Sequence, residues 1–351
     1  MKYVNDPKIN EKVVKIIEEL KKEIVSCFHP KSIILTGSFA RGEATVIEEN
    51  GELVFLSDCE IIIIPNRDIF GGKIKKFTTQ FYERTGLKVS LAGTILTLNL
   101  LLPILRKRMK PRIDYYDLKY GSRVIYGKNY LKMLPDFSPE EIPLWEGIRL
   151  ILNRMAEALE NFSLENPRNI IYWTDKVILA CQDALLLSKG KYHPSFVERY
   201  KIFQSCHGWP KEIDYTKILS LSKKAIERKI KWSDANEDPL DHWFEVREVC
   251  DKVFRYLIKK DLGFEFNDYY EFQWKYLNCE KIKKYTRKPF SSPLCVNMVN
   301  LIKALLLFQD FKLIKKKFNV PWEHIAYSKI PSIYFEENYN EKEEVLKLWS
   351  C

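Results

Sequence analysis

Two short apolar runs constrain the fold of this chain more than any other feature of its sequence. Residues Ser32–Thr36 are SIILT, and residues Ser57–Ile64 are SDCEIIII. Runs this short and this rich in isoleucine, ending at Gly37 and Pro65, are typical of strands buried within a sheet. Buried strands need apolar cover on their faces, so we expect amphipathic helices in the neighbouring segments.

The neighbouring segments have the patterns of helices, a further strand and a hairpin. Apolar residues recur at the helical period over Asn10–Cys27 and again over Lys73–Arg84. Asn50-Gly51 is a strong signal for a two-residue hairpin, and Leu87–Ala92 is a further strand pattern. The sequence therefore predicts an α+β fold for the first part of the chain.

After about residue 130 the pattern becomes helical almost throughout. The segment Leu134–Pro139 holds two prolines and marks the boundary, and the apolar residues 124–127 just before it are interpreted as a turn. Helical periods recur at 143–162, 170–187, 195–205, 215–229, 239–260 and 292–317. We therefore predict two domains, 1–132 and 133–351, the second being an all-α helical bundle.

Composition excludes several classes of protein. The chain has 351 residues, of which 46% are hydrophobic, so it is expected to fold rather than to be disordered. The longest apolar run, Thr94–Leu105, is shorter than the about 20 residues that span a bilayer, and residues 1–12 lack the apolar core of a secretory signal. Eight cysteines without CxxC spacing favour free thiols. We expect a cytoplasmic protein without a membrane partner.

The chain carries a formal net charge of +10. Basic residues cluster at Arg106–Arg112 and at Lys281–Lys288, and either cluster could contact phosphates. No strand pattern of interleaved basic and aromatic residues, typical of RNA-binding modules, accompanies them. We therefore expect solvated helix faces, and a nucleic-acid partner stays open without being favoured.

The first apolar run ends in a Gly-Ser pair, within the segment LTGSFARGE at Leu35–Glu43. Glycine lets the backbone approach an anion closely, and exposed N–H groups at such a turn can hold it. Ser38 adds a hydroxyl donor, and Arg41 offers a planar guanidinium that suits phosphate. Gly37, Ser38 and Arg41 are therefore candidate nucleotide-binding residues, although Arg41 could instead pair with Glu43.

Two acids, Asp58 and Glu60, open the second apolar run with Cys59 between them. Side chains alternate along a strand, so both carboxylates point to one face, about 7 Å apart along the backbone. Carboxylates beside so many isoleucines are costly unless a cation neutralises them. Mg²⁺ prefers hard oxygen ligands, commonly one or two carboxylates together with substrate phosphates. Asp58 and Glu60 are therefore candidate metal ligands and catalytic residues.

These two elements together resemble the signature of the DNA polymerase β-like nucleotidyltransferase superfamily. In that signature a hydrophobic residue and Gly-Ser are followed, after a spacer, by two acids that alternate with hydrophobic residues. Gly37-Ser38 and Asp58-Cys59-Glu60-Ile61 match it. The fuller string, GSFARGE followed by LSDCEIIII, is similar to the minimal and kanamycin-nucleotidyltransferase-like branch. The resemblance covers about residues 30–130 and does not reach the helical remainder.

The resemblance implies a nucleotidyltransferase fold, in which helices flank a mixed sheet. It implies an enzyme that transfers a nucleoside monophosphate from a nucleoside triphosphate to an acceptor and releases pyrophosphate. In this family the Gly-Ser pair holds the triphosphate and the acid pair binds Mg²⁺. We therefore expect Mg²⁺ as the cofactor of this chain, with Mn²⁺ as the open alternative. ATP is the first choice of nucleotide, and the acceptor is not identified. Some relatives build the site across two subunits, so a homodimer is also open.

The spacer of this chain is longer than the usual pattern of the family. Nineteen residues separate Ser38 from Asp58. The predicted hairpin at Asn50-Gly51 accounts for the extra length, because an inserted β-ribbon lengthens the chain without moving its ends.

A third carboxylate, which the family usually places on the strand after the next helix, is missing. That strand, Leu87–Ala92, has Lys88 or Ser90 at the expected place. Asp114 and Asp117 are the nearest downstream acids. Asp114 is our first candidate for the general base that takes the acceptor's proton, and Asp117 is the alternative.

Three hypotheses about function remain. The first is a Mg²⁺-dependent nucleotidyltransferase acting on a small molecule, with residues 133–351 binding the acceptor or a second subunit. The second keeps this chemistry but makes the acceptor a protein or an RNA. The third is a catalytically impaired nucleotide-binding or scaffolding protein of the same fold, which the missing third carboxylate suggests.

Overall fold

The computed structural model describes residues 1–66, 71–92, 111–161, 166–232 and 237–267, together with residues 271, 272 and 275. The α-helices are α1 Pro7–Phe28, α2 Gly37–Arg41, α3 Gly71–Thr85, α4 Ile113–Gly121, α5 Trp145–Glu160, α6 Pro167–Ser188, α7 Phe196–Gln204, α8 Tyr215–Ile230 and α9 Pro239–Leu262. The strands are β1 Ser32–Thr36, β2 Val46–Glu49, β3 Glu52–Phe55, β4 Cys59–Ile64, β5 Val89–Ala92 and β6 Arg123–Gly127. Short 3-10 helices lie at Leu131–Met133 and Pro139–Glu141.

The chain groups into two compact units that are not contiguous in sequence. The first unit comprises Met1–Pro143, Gly190–Ser205 and Ile226–Ser233. The second unit comprises Leu144–Lys189, Cys206–Ala225 and Asp234–Cys351. The first unit therefore draws on residues from both sides of the boundary at residue 132 that the sequence predicts.

A four-stranded mixed sheet forms part of the first unit, with its strands in the order β5-β4-β1-β6. β1 pairs antiparallel with both β4 and β6, whereas β4 and β5 run parallel. β2 and β3 form the hairpin predicted at Asn50-Gly51. The described chain therefore mixes helices with a small mixed sheet, in agreement with the α+β prediction.

Apolar side chains cover both faces of the sheet, which explains why β1 and β4 are so rich in isoleucine. On one face, Ile33 and Ile61 pack with the buried residues of α1 and α3. On the other face, Ile34 and Ile62 pack with Leu118 of α4. Because alternate residues of a strand point to opposite faces, a strand covered on both sides needs apolar residues at consecutive positions.

Helix α1 supplies much of the cover on the first face, and its sequence explains its start. Asp6 caps the helix by accepting hydrogen bonds from the backbone N–H groups of Lys8 and Ile9, at 2.9 and 3.0 Å. Such a cap stabilises a helix by about 1 kcal/mol. The buried residues of α1 recur at the helical period and are Val13, Ile17, Leu20, Ile24 and Phe28.

Residues 123–127 form a strand, so the interpretation of residues 124–127 as a turn is wrong. β6 pairs with the second edge of β1, with Ser32 opposite Gly127 and Ile34 opposite Val124. The run is short and ends in glycine, as a turn would. Its partner strand, β1, lies about 90 residues earlier in the chain. The sequence of residues 123–127 alone therefore does not reveal that they form a strand.

The described residues of the second unit form helices and no strand. Helix α6 packs against both α5 and α9, and nearly every residue between Ile170 and Leu187 is buried. The interior also holds a polar pair, in which Nε2 of His242 lies 3.0 Å from Oδ1 of Asp175. This pair favours one alignment of α6 and α9, because burying either side chain without its partner would be costly.

Several sequence features lie outside the described residues. They are the apolar run Thr94–Leu105, the basic residues Arg106–Lys110 and Lys281–Lys288, and the predicted helix at 292–317. Within the described ranges, no helix is both long and apolar enough to cross a membrane.

The pairing of β6 with β1 can be tested at Gly127. This residue has a φ of 75°, and a Cβ placed on it would lie 2.1 Å from the carbonyl oxygen of Lys31. Gly51 has a φ of 86°, but a Cβ there meets no atom within 4 Å. Both alanine variants carry the penalty of a left-handed backbone, about 1–2 kcal/mol, but only Gly127→Ala must also move a strand.

We expect Gly127→Ala to lower the free energy of unfolding by at least about 1 kcal/mol more than Gly51→Ala does. Urea unfolding of the two variants, followed by circular dichroism, measures the difference. Equal losses would contradict the close contact between the end of β6 and the chain before β1.

Candidate active site

Asp58 immediately precedes β4, and Glu60 is the second residue of this strand. Glu60 pairs in register with Thr36, the last residue of β1. Asp58 and Glu60 are exposed, while Cys59 between them is fully buried. Both carboxylates therefore lie on the face of the sheet that carries Ile62, and the predicted alternation is confirmed.

The Gly-Ser turn touches the acid pair directly. Gly37 follows β1 with a φ of 67°, in the left-handed region that favours glycine. A Cβ at this position would lie 2.4 Å from Oε2 of Glu60, well inside van der Waals contact. Glycine therefore lets the backbone after β1 pass close beside the Glu60 carboxylate, and this approach joins the two halves of the sequence motif.

Gly37 and Ser38 are the first two residues of helix α2, which fixes Ser38 at the same edge of the sheet, where β1 ends and β4 begins. Phe39 and Ala40 are buried in the core, whereas Ser38 is half-buried. The backbone N–H of Glu43 donates to the carbonyl oxygen of Ser38 at 2.9 Å, which closes the loop after the helix. The packing of the two apolar residues thus holds Ser38 near the acid pair.

Arg41 is part of a buried ion-pair network. Only 10% of its side chain is exposed, and its Nε lies 3.4 Å from Oε2 of Glu43. One terminal nitrogen lies 4.0 Å from Oδ2 of Asp117, and the guanidinium lies over the ring of Phe196 at 5.5 Å from its centroid. The pairing with Glu43, which the sequence left open, is therefore observed, and contact of Arg41 with a nucleotide stays a prediction.

Glu43 connects this network to helix α7. Its carboxylate accepts a hydrogen bond from the Ser195 hydroxyl at 2.6 Å, and from the N–H groups of Phe196 and Val197 at 3.1 and 3.2 Å. The N–H groups of a first helical turn have no acceptor within the helix, and the positive end of the helix dipole favours an anion. Glu43 therefore caps α7 and fixes the loop that follows the Gly-Ser turn.

Asp117 of α4 is the second acid beside Arg41. The Tyr192 hydroxyl donates to its Oδ2 at 3.3 Å, and Arg199 donates to that hydroxyl at 2.7 Å. Burial raises the pKa of the Asp117 carboxyl to about 6, although the two arginines and the tyrosine hydrogen bond act to lower it. These contacts make Asp117 a structural member of the network and a weaker substitute for the missing third carboxylate.

The parallel pairing of β4 with β5 identifies the residue beside the acid pair. Ser90 is in register with Glu60 and is exposed like it. A hydroxyl therefore stands where the resemblance implies a third carboxylate. Two residues earlier, Lys88 places its Nζ 3.5 Å from Oδ2 of Asp58.

The acid pair is solvated rather than buried. The side chains of Asp58 and Lys88 are 45% and 71% exposed, so their ion pair is screened and stabilises by at most about 1 kcal/mol. The isoleucines of β4 lie further along the strand, under the cover of the helices. The expectation that a cation must offset the burial of these acids is therefore wrong, because water already solvates them.

The acid pair supplies two hard oxygen ligands and no larger cluster. Among the residues that the structure describes, no group of three or more His, Cys, Asp or Glu side chains is arranged to hold a metal ion. Mg²⁺ commonly binds through one or two carboxylates and completes its shell with water and phosphate oxygens. Asp58 and Glu60 fit that mode of binding, in which the substrate supplies further ligands.

Asp114 is exposed in the first turn of α4. Its carboxylate lies 3.1 Å from Nε of Arg112 and also accepts a hydrogen bond from the N–H of Tyr115 at 3.1 Å. It precedes Leu118 by one helical turn, and residues four apart lie on the same side of a helix. Since Leu118 packs on the sheet, Asp114 lies on the same side of α4 and stays the candidate base.

The residues that hold the motif from later in the chain were not found from the sequence. They are Tyr192, Ser195, Phe196, Arg199 and Lys229. Lys229 is only 8% exposed, and its Nζ lies 3.2 Å from the hydroxyl of Ser57, the residue before Asp58. One local signal was present, since Ser195 and Glu198 have the spacing of a capping box. The contact with Glu43 had none, because it spans 152 residues of sequence.

The pKa of Asp117 predicts an unusual dependence of stability on pH. The carboxyl titrates near 3.8 when unperturbed and near 6 in the folded chain, so between these values the folded chain holds a proton that the unfolded chain has released. Its contribution to stability is therefore present below about pH 4 and is lost as the pH rises through 6. Asp117→Asn removes this titration.

We expect the free energy of unfolding of Asp117→Asn, relative to the wild-type chain, to rise by roughly 2 kcal/mol between pH 4 and pH 7. Urea unfolding at unit intervals of pH measures it. Tyr192→Phe removes a hydrogen-bond donor that lowers the pKa of Asp117. In this variant we expect stability to keep falling to a higher pH than in the wild-type chain. A relative stability of Asp117→Asn that falls with pH would contradict the dominance of burial.

No model of a protein family and no curated protein matches this chain. The interpretation of the site therefore depends on its own geometry: Gly37 beside Glu60, an exposed acid pair, and Ser90 in register with that pair.

Proposed function

We propose that this chain is a Mg²⁺-dependent nucleotidyltransferase, which moves a nucleoside monophosphate from a nucleoside triphosphate to an acceptor. The observation that carries the proposal is the contact of Gly37 with the Glu60 carboxylate, whose Oε2 lies 2.4 Å from where a Cβ would be. It joins a turn suited to phosphate with carboxylates suited to its cation.

The same proposal assigns the four-stranded sheet to the nucleotidyltransferase fold. In support, the Gly-Ser turn follows β1, the acid pair opens β4, and these two strands are neighbours. β5, the strand after helix α3, lies on the other side of β4. Three elements that are separate in sequence thus meet at one edge of the sheet, by which we mean the end where β1 stops and where β4 and β5 begin.

The residues at this edge fit a divalent cation of the Mg²⁺ type. Asp58 and Glu60 offer hard oxygen ligands from an exposed position, so water and phosphate can complete the coordination. Gly37 has no side chain that would cover the Glu60 carboxylate. When bound, Mg²⁺ supplies neutralisation of the charge on the phosphates and on the departing pyrophosphate.

In the proposed reaction, a hydroxyl oxygen of the acceptor attacks the α-phosphorus in line with the bond to the β-phosphate. The new P–O bond forms as the old one breaks, and pyrophosphate leaves with the bonding electron pair. The proton of the acceptor passes to a base, for which Asp114 is the candidate. The Ser38 hydroxyl donates a hydrogen bond to a phosphate oxygen and so helps to orient the triphosphate.

A nucleotide-binding protein without transfer activity is the second candidate. It is favoured by the register of Ser90 with Glu60, which leaves the acid pair without a third carboxylate, and by the ion pair of Lys88 with Asp58. In that case the same edge would bind a nucleotide and a cation, and no pyrophosphate would be released.

The proposed function predicts that each acid of the pair is needed for transfer. The full chain is incubated with Mg²⁺, a cell extract as the source of acceptor, and each of the four nucleoside triphosphates labelled at the α-phosphate. We expect labelled product with the wild-type chain, and at least about 100-fold less with Asp58→Asn and with Glu60→Gln, because a neutral amide is a far poorer ligand for Mg²⁺.

Glu83→Gln provides the matched control, since it removes one charge from an exposed position on α3. It is expected to label like the wild-type chain, and circular dichroism checks that all variants fold. Labelling by Asp58→Asn at the wild-type rate would refute the role of the acid pair. Nucleotide binding without label transfer by the wild-type chain would favour the second candidate.

A further inference from the structure

Lys88 and Ser90 are the residues of the β5 segment that lie beside the acid pair. Ser90 is in register with Glu60, and the carbonyl oxygen of Lys88 accepts a hydrogen bond from the N–H of Cys59 at 2.8 Å. Residues in register on neighbouring strands share a face and are about 5 Å apart. Lys88 and Ser90, both exposed, therefore line the same open edge as the two acids.

The ammonium group of Lys88 changes the charge of this edge. Its Nζ lies 3.5 Å from Oδ2 of Asp58. With Asp58 and Glu60 ionised, one positive charge already offsets half of the negative charge of the pair. A second divalent cation would have to share these two carboxylates with the first cation and with a nearby ammonium, and like charges at such distances repel one another.

The other acids near this part of the sheet have partners of their own. Asp114 lies 3.1 Å from Nε of Arg112, and Asp117 is held by Arg41 and by the Tyr192 hydroxyl. Among the described residues, no group of three His, Cys, Asp or Glu side chains is suited to a metal ion. Within the described part of the chain, the pair and the lysine are therefore the charged groups on which we base the binding mode of this edge.

We propose that Lys88 is a phosphate-binding residue that takes the place of a second divalent cation, so that the site binds one divalent cation with each nucleotide. This inference rests on the proposed function and specifies how its site holds the triphosphate. A lysine ammonium is a compact point charge of the kind that binds phosphate oxygens.

The exposure of Lys88 allows the movement that this role requires. Its side chain is 71% exposed, and a weak solvated ion pair with Asp58 is easily exchanged for another partner. Asp58 and Glu60 would hold the cation, whose positive charge would replace that of Lys88 beside Asp58. The ammonium of Lys88 would then be free to bind a phosphate oxygen of the nucleotide.

The number of cations can be counted without any turnover. The full chain is mixed with α,β-methylene-ATP, in which a methylene group replaces the oxygen between the α- and β-phosphates, so that pyrophosphate cannot be released. Mn²⁺ is then added in steps, and electron paramagnetic resonance measures the free and the bound ion. We expect one Mn²⁺ for each bound nucleotide, with the spectrum of an isolated ion. Two ions at about 3.5–4 Å, the spacing of two-metal sites, would give a broadened, coupled spectrum and would overturn the proposal.

A double variant shows that the assay can detect a second ion. In Lys88→Met with Ser90→Asp, a carboxylate stands in register with Glu60 and the competing ammonium is gone. We expect this variant to bind two Mn²⁺ ions for each nucleotide. Binding of a single ion by this variant would show that Lys88 and Ser90 do not set the number of cations, and would overturn the proposal as well.

The single variant Lys88→Met tests the contact with phosphate. We expect its Kd for α,β-methylene-ATP, measured by calorimetry with saturating Mg²⁺, to rise about tenfold because a charge-assisted contact is lost. Lys76→Met, which removes an exposed lysine from α3, is the matched control and should leave the Kd unchanged. Equal effects of the two variants would overturn the proposal.

These measurements also separate this inference from the proposed function. If the wild-type chain binds the analogue together with two Mn²⁺ ions, the role of Lys88 is refuted and the proposed function stands. If the wild-type chain binds no nucleotide with either cation, both are refuted.

Discussion

The antiparallel pairing of β1 with β4 places Thr36 opposite Glu60, so the residue that follows β1 must pass beside a carboxylate. Gly37 makes this passage with a left-handed backbone and with no side chain to collide with Glu60. The turn, the start of α2 and the position of Ser38 all follow from this one contact. The rest of the candidate site depends on it, because it sets how close a bound phosphate could come to the acid pair.

Ion pairs between acidic and basic side chains have two different roles in this unit. At the edge of the sheet, Asp58 and Lys88 are exposed and weakly held, so they can exchange partners with a ligand. Behind the turn, Arg41 and Glu43 are buried and tied to α7 and to each other. A buried charge that loses its partner is costly, so this second group is expected to be rigid and to keep the loop in place.

The sequence predicted the elements whose signals are local. The strand Ser32–Thr36 has the predicted bounds, the hairpin lies at Asn50-Gly51, and the two acids share one face. It did not predict β6, which depends on pairing with a distant edge of β1. It also misjudged the solvation of the acids, since exposure depends on where the covering helices end and not on which residues are adjacent in the chain.

Taken alone, the sequence determined the central strands β1 and β4, helices α1 and α3, the hairpin, and the succession of a Gly-Ser pair and two alternating acids, because periodicity and turn chemistry act over a few residues. The tertiary structure decided what these groups touch. It placed Ser90 and Lys88 beside the acids through parallel strand pairing, and it engaged Arg41 with Glu43 and Asp117 through chain segments far apart in sequence. Contacts between distant segments arise from the packing of whole elements, and no local pattern of residues encodes them.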